Sequence, residues 1–89
     1  MNTFNLMISA YNAILYNGRA VYCGITTVDG SLGFETRHEP MLSVLKENSD
    51  IVYKDAHGME KTIQVVNGML SFKNNECTII VDLVEKNKP

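Results

Sequence analysis

The feature that most constrains this chain is a two-residue alternation of apolar and polar side chains, interrupted at short intervals by turn-forming pairs. Phe4, Leu6 and Ile8 alternate with Asn5, Met7 and Ser9, the period of a strand with one face in a core. Ile14-Leu15-Tyr16 precedes Asn17-Gly18, a pair suited to a tight hairpin turn, and the apolar run Ala20 to Ile25 follows. Asp29-Gly30 marks a second turn, beyond which Leu32 and Phe34 stand two apart. Ile51-Val52-Tyr53, the loop Asp55-Ala56-His57-Gly58, and Ile63 with Val65 read as strand, turn and strand. Asn67-Gly68 then separates Val65-Val66 from Leu70 and Phe72, and Lys73-Asn74-Asn75-Glu76 separates those from Cys77, Ile79, Val81 and Leu83. Such spacing predicts an all-β antiparallel sandwich or barrel rather than alternating α/β units. The expected core comprises Leu6, Ile8, Val21, Ile25, Leu32, Ile51, Ile63, Val65, Leu70, Phe72, Ile79 and Val81. Pro40 to Lys46 has helical spacing at Met41, Leu42, Val44 and Leu45 but is too short to assign by period.

A chain of 89 residues, 45% of them hydrophobic, has material for one small core and not for two. Eight Lys and Arg against ten Asp and Glu leave no basic stripe to neutralise phosphates, which argues against a nucleic-acid or acidic-membrane binder. The first basic residue is Arg19, and Asn5, Ser9 and Asn12 break the early apolar stretch, so no secretory leader is expected and the chain reads as intracellular. No run approaches the ~18 apolar residues of a membrane-spanning helix, so direct membrane insertion is not expected. Cys23 and Cys77 are too sparse for a disulfide framework and are expected as small buried hydrophobes.

Candidate catalytic chemistry is thin. His57 falls on a predicted hairpin tip, where it would be solvated. Cys23 with His38 would make a thiol-imidazole pair only if the fold brought them together, and Glu35 with Glu39 reads as a solvated acidic loop. No Cys-x-x-Cys or His-x-x-x-His spacing offers a metal site. Gly30-Ser31-Leu32-Gly33 lacks the Lys-Ser/Thr ending and the following helix of a phosphate-binding loop. No catalytic, cofactor or metal residue is therefore assigned. A generic β-sandwich adaptor or ligand-binding module would share all of these patterns.

One further set of residues is more specific. Asp29-Gly30-Ser31-Leu32-Gly33 matches an acidic-Gly-x-Ile/Leu-Gly turn, and His38-Glu39-Pro40-Met41-Leu42 stands where a Gly-His-Ala-Pro-Leu segment follows it. Phe4 to Ile8, Tyr16 to Ala20, Val66 to Leu70 and Thr78 to Asp82 fall in register as an opening strand, first hairpin, later turn and closing strand. With these residues the chain resembles the epsilon subunit of F-type ATP synthases. It departs at Thr36-Arg37 and Asn48-Ser49, where Pro-Gly is usual, and at Glu39, where a small residue is usual. The resemblance implies a sandwich of about ten short strands over residues 1–84, then a polar tail over 85–89. It implies a short form without the C-terminal helical hairpin that binds ATP. It also implies a non-catalytic central-stalk rotor part, monomeric when isolated, that couples the gamma subunit to the c-subunit ring during proton-driven ATP synthesis. Asp29, Gly30, Ser31 and His38 would share the end facing the c ring, and Pro40, Met41 and Leu42 would face gamma. The expected location is peripheral, on the cytoplasmic side of an energy-transducing membrane such as the bacterial inner membrane.

Overall fold

Seven strands make up the computed structural model, which describes residues 2–83: β1 Phe4–Ala10, β2 Ala13–Thr27, β3 Gly30–Phe34, β4 Met41–Leu45, β5 Ser49–Asp55, β6 Glu60–Lys73 and β7 Glu76–Leu83. The expected tail over 85–89 lies outside the described residues. Hydrogen bonding runs β1-β7-β6-β5-β2-β3, with β4 on β6, and the path closes on itself because β1 also pairs with β2. Two strands are long enough to serve two layers. The first layer holds the N-terminal half of β2, β1, β7, the C-terminal half of β6, and β4. The second holds β3, the C-terminal half of β2, β5, and the N-terminal half of β6.

Both long strands turn the corner at an irregularity. Pairing of β2 with β5 slips between Ala20 and Tyr22, and pairing of β6 with β7 slips between Val65 and Asn67. An extra residue in one strand bends it and reverses which positions face inward. Hence Ala20 is buried before the first slip and Cys23 and Ile25 after it. On β6 the buried set changes from Val65 to Leu70 and Phe72.

These corners explain why the strands are fewer and longer than the expected ten. Asn17-Gly18 is not a turn: Gly18 lies within β2 opposite Leu6, and the chain reverses instead at Tyr11-Asn12. Asn67-Gly68 is the β6 corner, with Gly68 opposite both Leu45 and Val81. An Asn-Gly pair permits a turn but does not impose one where cross-strand pairing holds the backbone extended, by β1 along Asn17-Gly18 and by β4 and β7 at Gly68. The expected turns at Asp29-Gly30, at Asp55 to Gly58 and at Lys73 to Glu76 are present. Pro40 to Lys46 holds a strand rather than a helix, and β1 runs parallel to β7 in an otherwise antiparallel arrangement.

The core forms between the layers. Of the expected set, Leu6, Ile8, Ile25, Ile51, Val65, Leu70, Phe72, Ile79 and Val81 are buried. Leu32 and Ile63 are half-buried against that cluster. Val21 is also only half-buried, because it is the extra residue at the β2 corner. Phe4, Phe34 and Phe72 meet in one cluster with ring centroids 5.2 to 5.6 Å apart in tilted and edge-on contacts, the arrangement aromatic quadrupoles favour.

Candidate functional site

Three regions hold the residues singled out from the sequence. The first is the β2–β3 hairpin tip. Thr27 Oγ1 accepts a hydrogen bond from the Asp29 backbone N–H and donates to the Gly30 carbonyl, both at 3.1 Å. Gly30 has φ 122°, a conformation that disfavours a β-carbon. Asp29, Gly30 and Ser31 are all exposed there. The Lys46 amide reaches the Thr26 carbonyl at 2.8 Å, so the tip and the end of β4 share one end of the molecule.

His38 belongs to the opposite end. β3 spans Gly30 to Phe34, a rise of about 13 Å over four residues. The His38 ring packs on Phe34 and Phe72 with centroids 5.5 and 5.9 Å away. Its Nδ1 lies 2.8 Å from the Glu39 carbonyl oxygen; because a carbonyl only accepts, Nδ1 carries the proton. The backbone around it is tied down: Asn75 accepts from the Arg37 amide and donates to the Thr3 carbonyl, at 2.8 and 2.9 Å. The four residues expected at one shared end are thus divided, with His38 apart from Asp29, Gly30 and Ser31. The reason is topological, since β3 carries the chain away from the tip before His38 is reached.

The third region is the outer face of the first layer. Pro40 is exposed, Met41 turns inward against the core, and Leu42 points out with 78% of its surface accessible. Val44 follows on the same face, and the register carries the row across the sheet. Val44 pairs with Met69, Met69 with Ile80, Ile80 with Ser9, and Ser9 with Ile14. Val44, Met69, Ile80 and Ile14 are all more than half exposed. A parallel row joins Leu42, Ser71, Thr78 and Met7. Neither row contains a charged side chain. A connected apolar face of this kind on a small chain marks an association surface.

The sequence reading missed Val44, Met69, Ile80 and Ile14. Their signal was nevertheless present: Ile14-Leu15, Met41-Leu42, Val44-Leu45, Met69-Leu70 and Ile79 to Val81 are apolar at adjacent positions, which places apolar side chains on both faces of a strand. A half-solvated strand would alternate.

The residues considered for catalysis are dispersed. Cys23 is fully buried, Glu35 and Glu39 are exposed, and His57 sits in the exposed β5–β6 turn. Among the described residues no three His, Cys, Asp or Glu side chains lie together so as to hold a metal ion, and no helix is long and apolar enough to cross a membrane. A shallow depression on the second layer is lined by Tyr22, Gly24, Thr26, Ser31, Gly33 and Asp50 among others.

Comparison with known proteins agrees with this architecture. A 30% identical relative over 81 residues is the ATP synthase epsilon chain 2 of Photobacterium profundum, aligned over 91% of this chain and 55% of its own length. The ATP synthase epsilon chain of Neisseria meningitidis is 28% identical over 69 residues, covering 78% of this chain and 49% of the relative. The chain therefore spans about half the length of the relatives it matches. Among solved structures, a chain of the Euglena gracilis mitochondrial ATP synthase OSCP/F1/c-ring assembly superposes with a TM-score of 0.78 at 14% identity, covering 93% of this chain and 51% of its own. One from the Tetrahymena thermophila mitochondrial ATP synthase central stalk and c-ring gives 0.74 at 14% identity, covering 88% and 62%. At that identity the likeness is one of fold. The sequence profile for the ATP synthase delta/epsilon chain β-sandwich domain matches residues 3–87, nearly the whole chain, and to that family the chain belongs.

Proposed function

We propose that this chain is a non-catalytic rotor component of an F-type ATP synthase that joins the gamma subunit to the c-subunit ring during proton-driven synthesis. It would lie peripherally on the cytoplasmic side of the membrane that holds the ring. The observation that carries this reading is the uncharged apolar face of the first layer. A coupling part needs one surface that stays docked, and desolvated apolar contact supplies that. Close packing between the layers supplies the stiffness needed to pass on torque.

In this reading gamma covers the face that begins at Pro40 and Leu42 and continues through Val44, Met69 and Ile80, with Met41 holding the strand to the core from behind. His38, two residues before Pro40, belongs to the gamma side. The opposite end, with Asp29, Gly30 and Ser31, meets the polar loops of the c ring. Contacts there are exposed and screened over about 8 Å at physiological salt, so charge guides docking while the apolar face holds it.

Two experiments test the assignment. Leu42→Asp places a carboxylate in the proposed gamma contact while leaving the core intact, so retention on immobilised gamma should fall by about tenfold or more with unchanged circular dichroism. Wild-type retention would refute the face assignment. Ser31→Cys, in a background lacking Cys23 and Cys77, should crosslink to cysteines in the ring loop of the assembled enzyme, whereas His38→Cys should not. The reverse pattern would invert the orientation.

A further inference from the structure

Cys23 and Cys77 come from opposite layers and meet in the core. Cys23 lies on β2 directly opposite Phe34, and Cys77 lies on β7 directly opposite Phe72. The Phe34 and Phe72 rings touch across the core at 5.2 Å, so the residues paired with them also face one another. Both thiols are free, with 0% and 2% of their surface accessible. The described residues include no buried polar or charged side chain to compete for either sulfur. The Cys23 thiol is held well above its ordinary pKa, first by hydrogen bonding with the Cys77 thiol and then by burial. Neither the rotor reading nor the outer face uses this pair.

We propose that Cys23 and Cys77 form an oxidative modification site, a latent disulfide between the two layers that small disulfides generate when the core transiently opens. In the closed state both sulfurs are buried, so there is no path for a reagent. On opening, Cys23 loses its proton to solvent and its thiolate attacks one sulfur of the small disulfide, forming a mixed disulfide and releasing one small thiolate. Cys77 then loses its proton to solvent and its thiolate attacks the Cys23 sulfur, breaking the mixed disulfide, forming the Cys23–Cys77 bond and expelling the second small thiolate. Both thiolates take up protons from solvent, so the cysteine pair is oxidised by two electrons and the small disulfide is reduced to two thiols.

Packing drives the second step. A core filled to native density cannot close over an adduct on Cys23, whereas the internal disulfide removes two hydrogens and adds no atoms. Closure also returns Cys77 to its place beside Cys23, where the attack is intramolecular. The resulting bond ties residues far apart in sequence and constrains the unfolded chain.

The test refolds the reduced full chain in an oxidising glutathione buffer and, separately, treats the folded chain with a dipyridyl disulfide in sub-denaturing urea. The expected product of both is a monomer lighter by two hydrogens with no thiol detectable after denaturation. The pyridyl reaction should release two thiones per chain, and the product should melt at least about 5 °C above the reduced form. Cys23→Ser should instead retain a mixed adduct on Cys77. Two free thiols after refolding, a stable mixed adduct on the wild-type chain, covalent dimers, or a lowered melting temperature would each overturn the proposal.

Discussion

Asp55 illustrates how much one half-buried side chain contributes to this fold. Its Oδ1 accepts hydrogen bonds from the backbone N–H groups of His57 and Met59 at 2.8 and 3.0 Å, closing the turn between β5 and β6. Gly58, with φ 80°, supplies the reversal. The Asp55 carboxyl is held below its ordinary pKa, chiefly by the Met59 amide, against a smaller opposing effect of desolvation, and further by the His57 amide. A depressed carboxylate stabilises the fold above the unfolded-state value near pH 4, and its contribution fades as pH falls through the lower folded-state value. Asp55→Ala should therefore lower the melting temperature at neutral pH, and the gap from wild type should shrink steadily below about pH 4. Melting curves from pH 7 to pH 2.5 check this; a gap independent of pH would show that the carboxylate charge does not hold the turn.

The strand corners decide how the elements assemble. At the β6 corner a β-carbon on Gly68 would lie 2.9 Å from Val81 Cγ1, 3.0 Å from the Ile80 carbonyl oxygen and 3.2 Å from Leu45 Cδ2. One of those atoms is backbone and the others sit in packed side chains, so relief requires movement of β7 or β4. Gly68→Ala should cost about 1–3 kcal/mol by overpacking, whereas Met69→Ala, on the outer face, should stay within about 0.5 kcal/mol. Urea midpoints for the two variants measure the contrast. The same corners limited what could be read in advance. Phe4, Leu6, Ile8, Cys77, Ile79 and Val81 alternate without interruption, and their inward faces follow directly from the sequence. Val21 and Val66 stand at slips that reverse the alternation, and nothing local distinguishes a bulge from a continued strand. Asn17-Gly18 and Asn67-Gly68 have the composition of hairpin turns, yet both remain extended because β1 bonds to the first and β4 and β7 to the second, and the dipeptides themselves carry no sign of those partners. The proposed docking surface was legible at Leu42, which a local motif marks. At Met69 and Ile80 adjacent apolar residues were visible, but their place on the same face as Leu42 comes only from register.

At the scale of the whole molecule β1 closes the structure. It pairs antiparallel with β2 and parallel with β7, and its Phe4, Leu6 and Ile8 are among the most buried side chains. Removing residues 2–10 opens the ring of strands and strips one wall from the core, so such a truncation should show no cooperative thermal transition by circular dichroism. A sharp melt would mean that the remaining strands form a stable sheet alone. The partnership between the first strand and the last also governs how the protein comes into being. Asn5 is matched to Glu76, and Ile8 to Ile79, so the contact that completes the fold joins the most widely separated parts of the described chain. Contacts of such long sequence separation form slowly, because the entropy of closing the intervening loop is lost before any contact repays it. On the ribosome, β1 emerges before β7, and the edge of β1 that β2 does not cover must wait unpartnered until β7 has been synthesised. Throughout that interval the nascent chain is at its most exposed to aggregation, and the speed of translation across β2 to β7 sets how long the interval lasts.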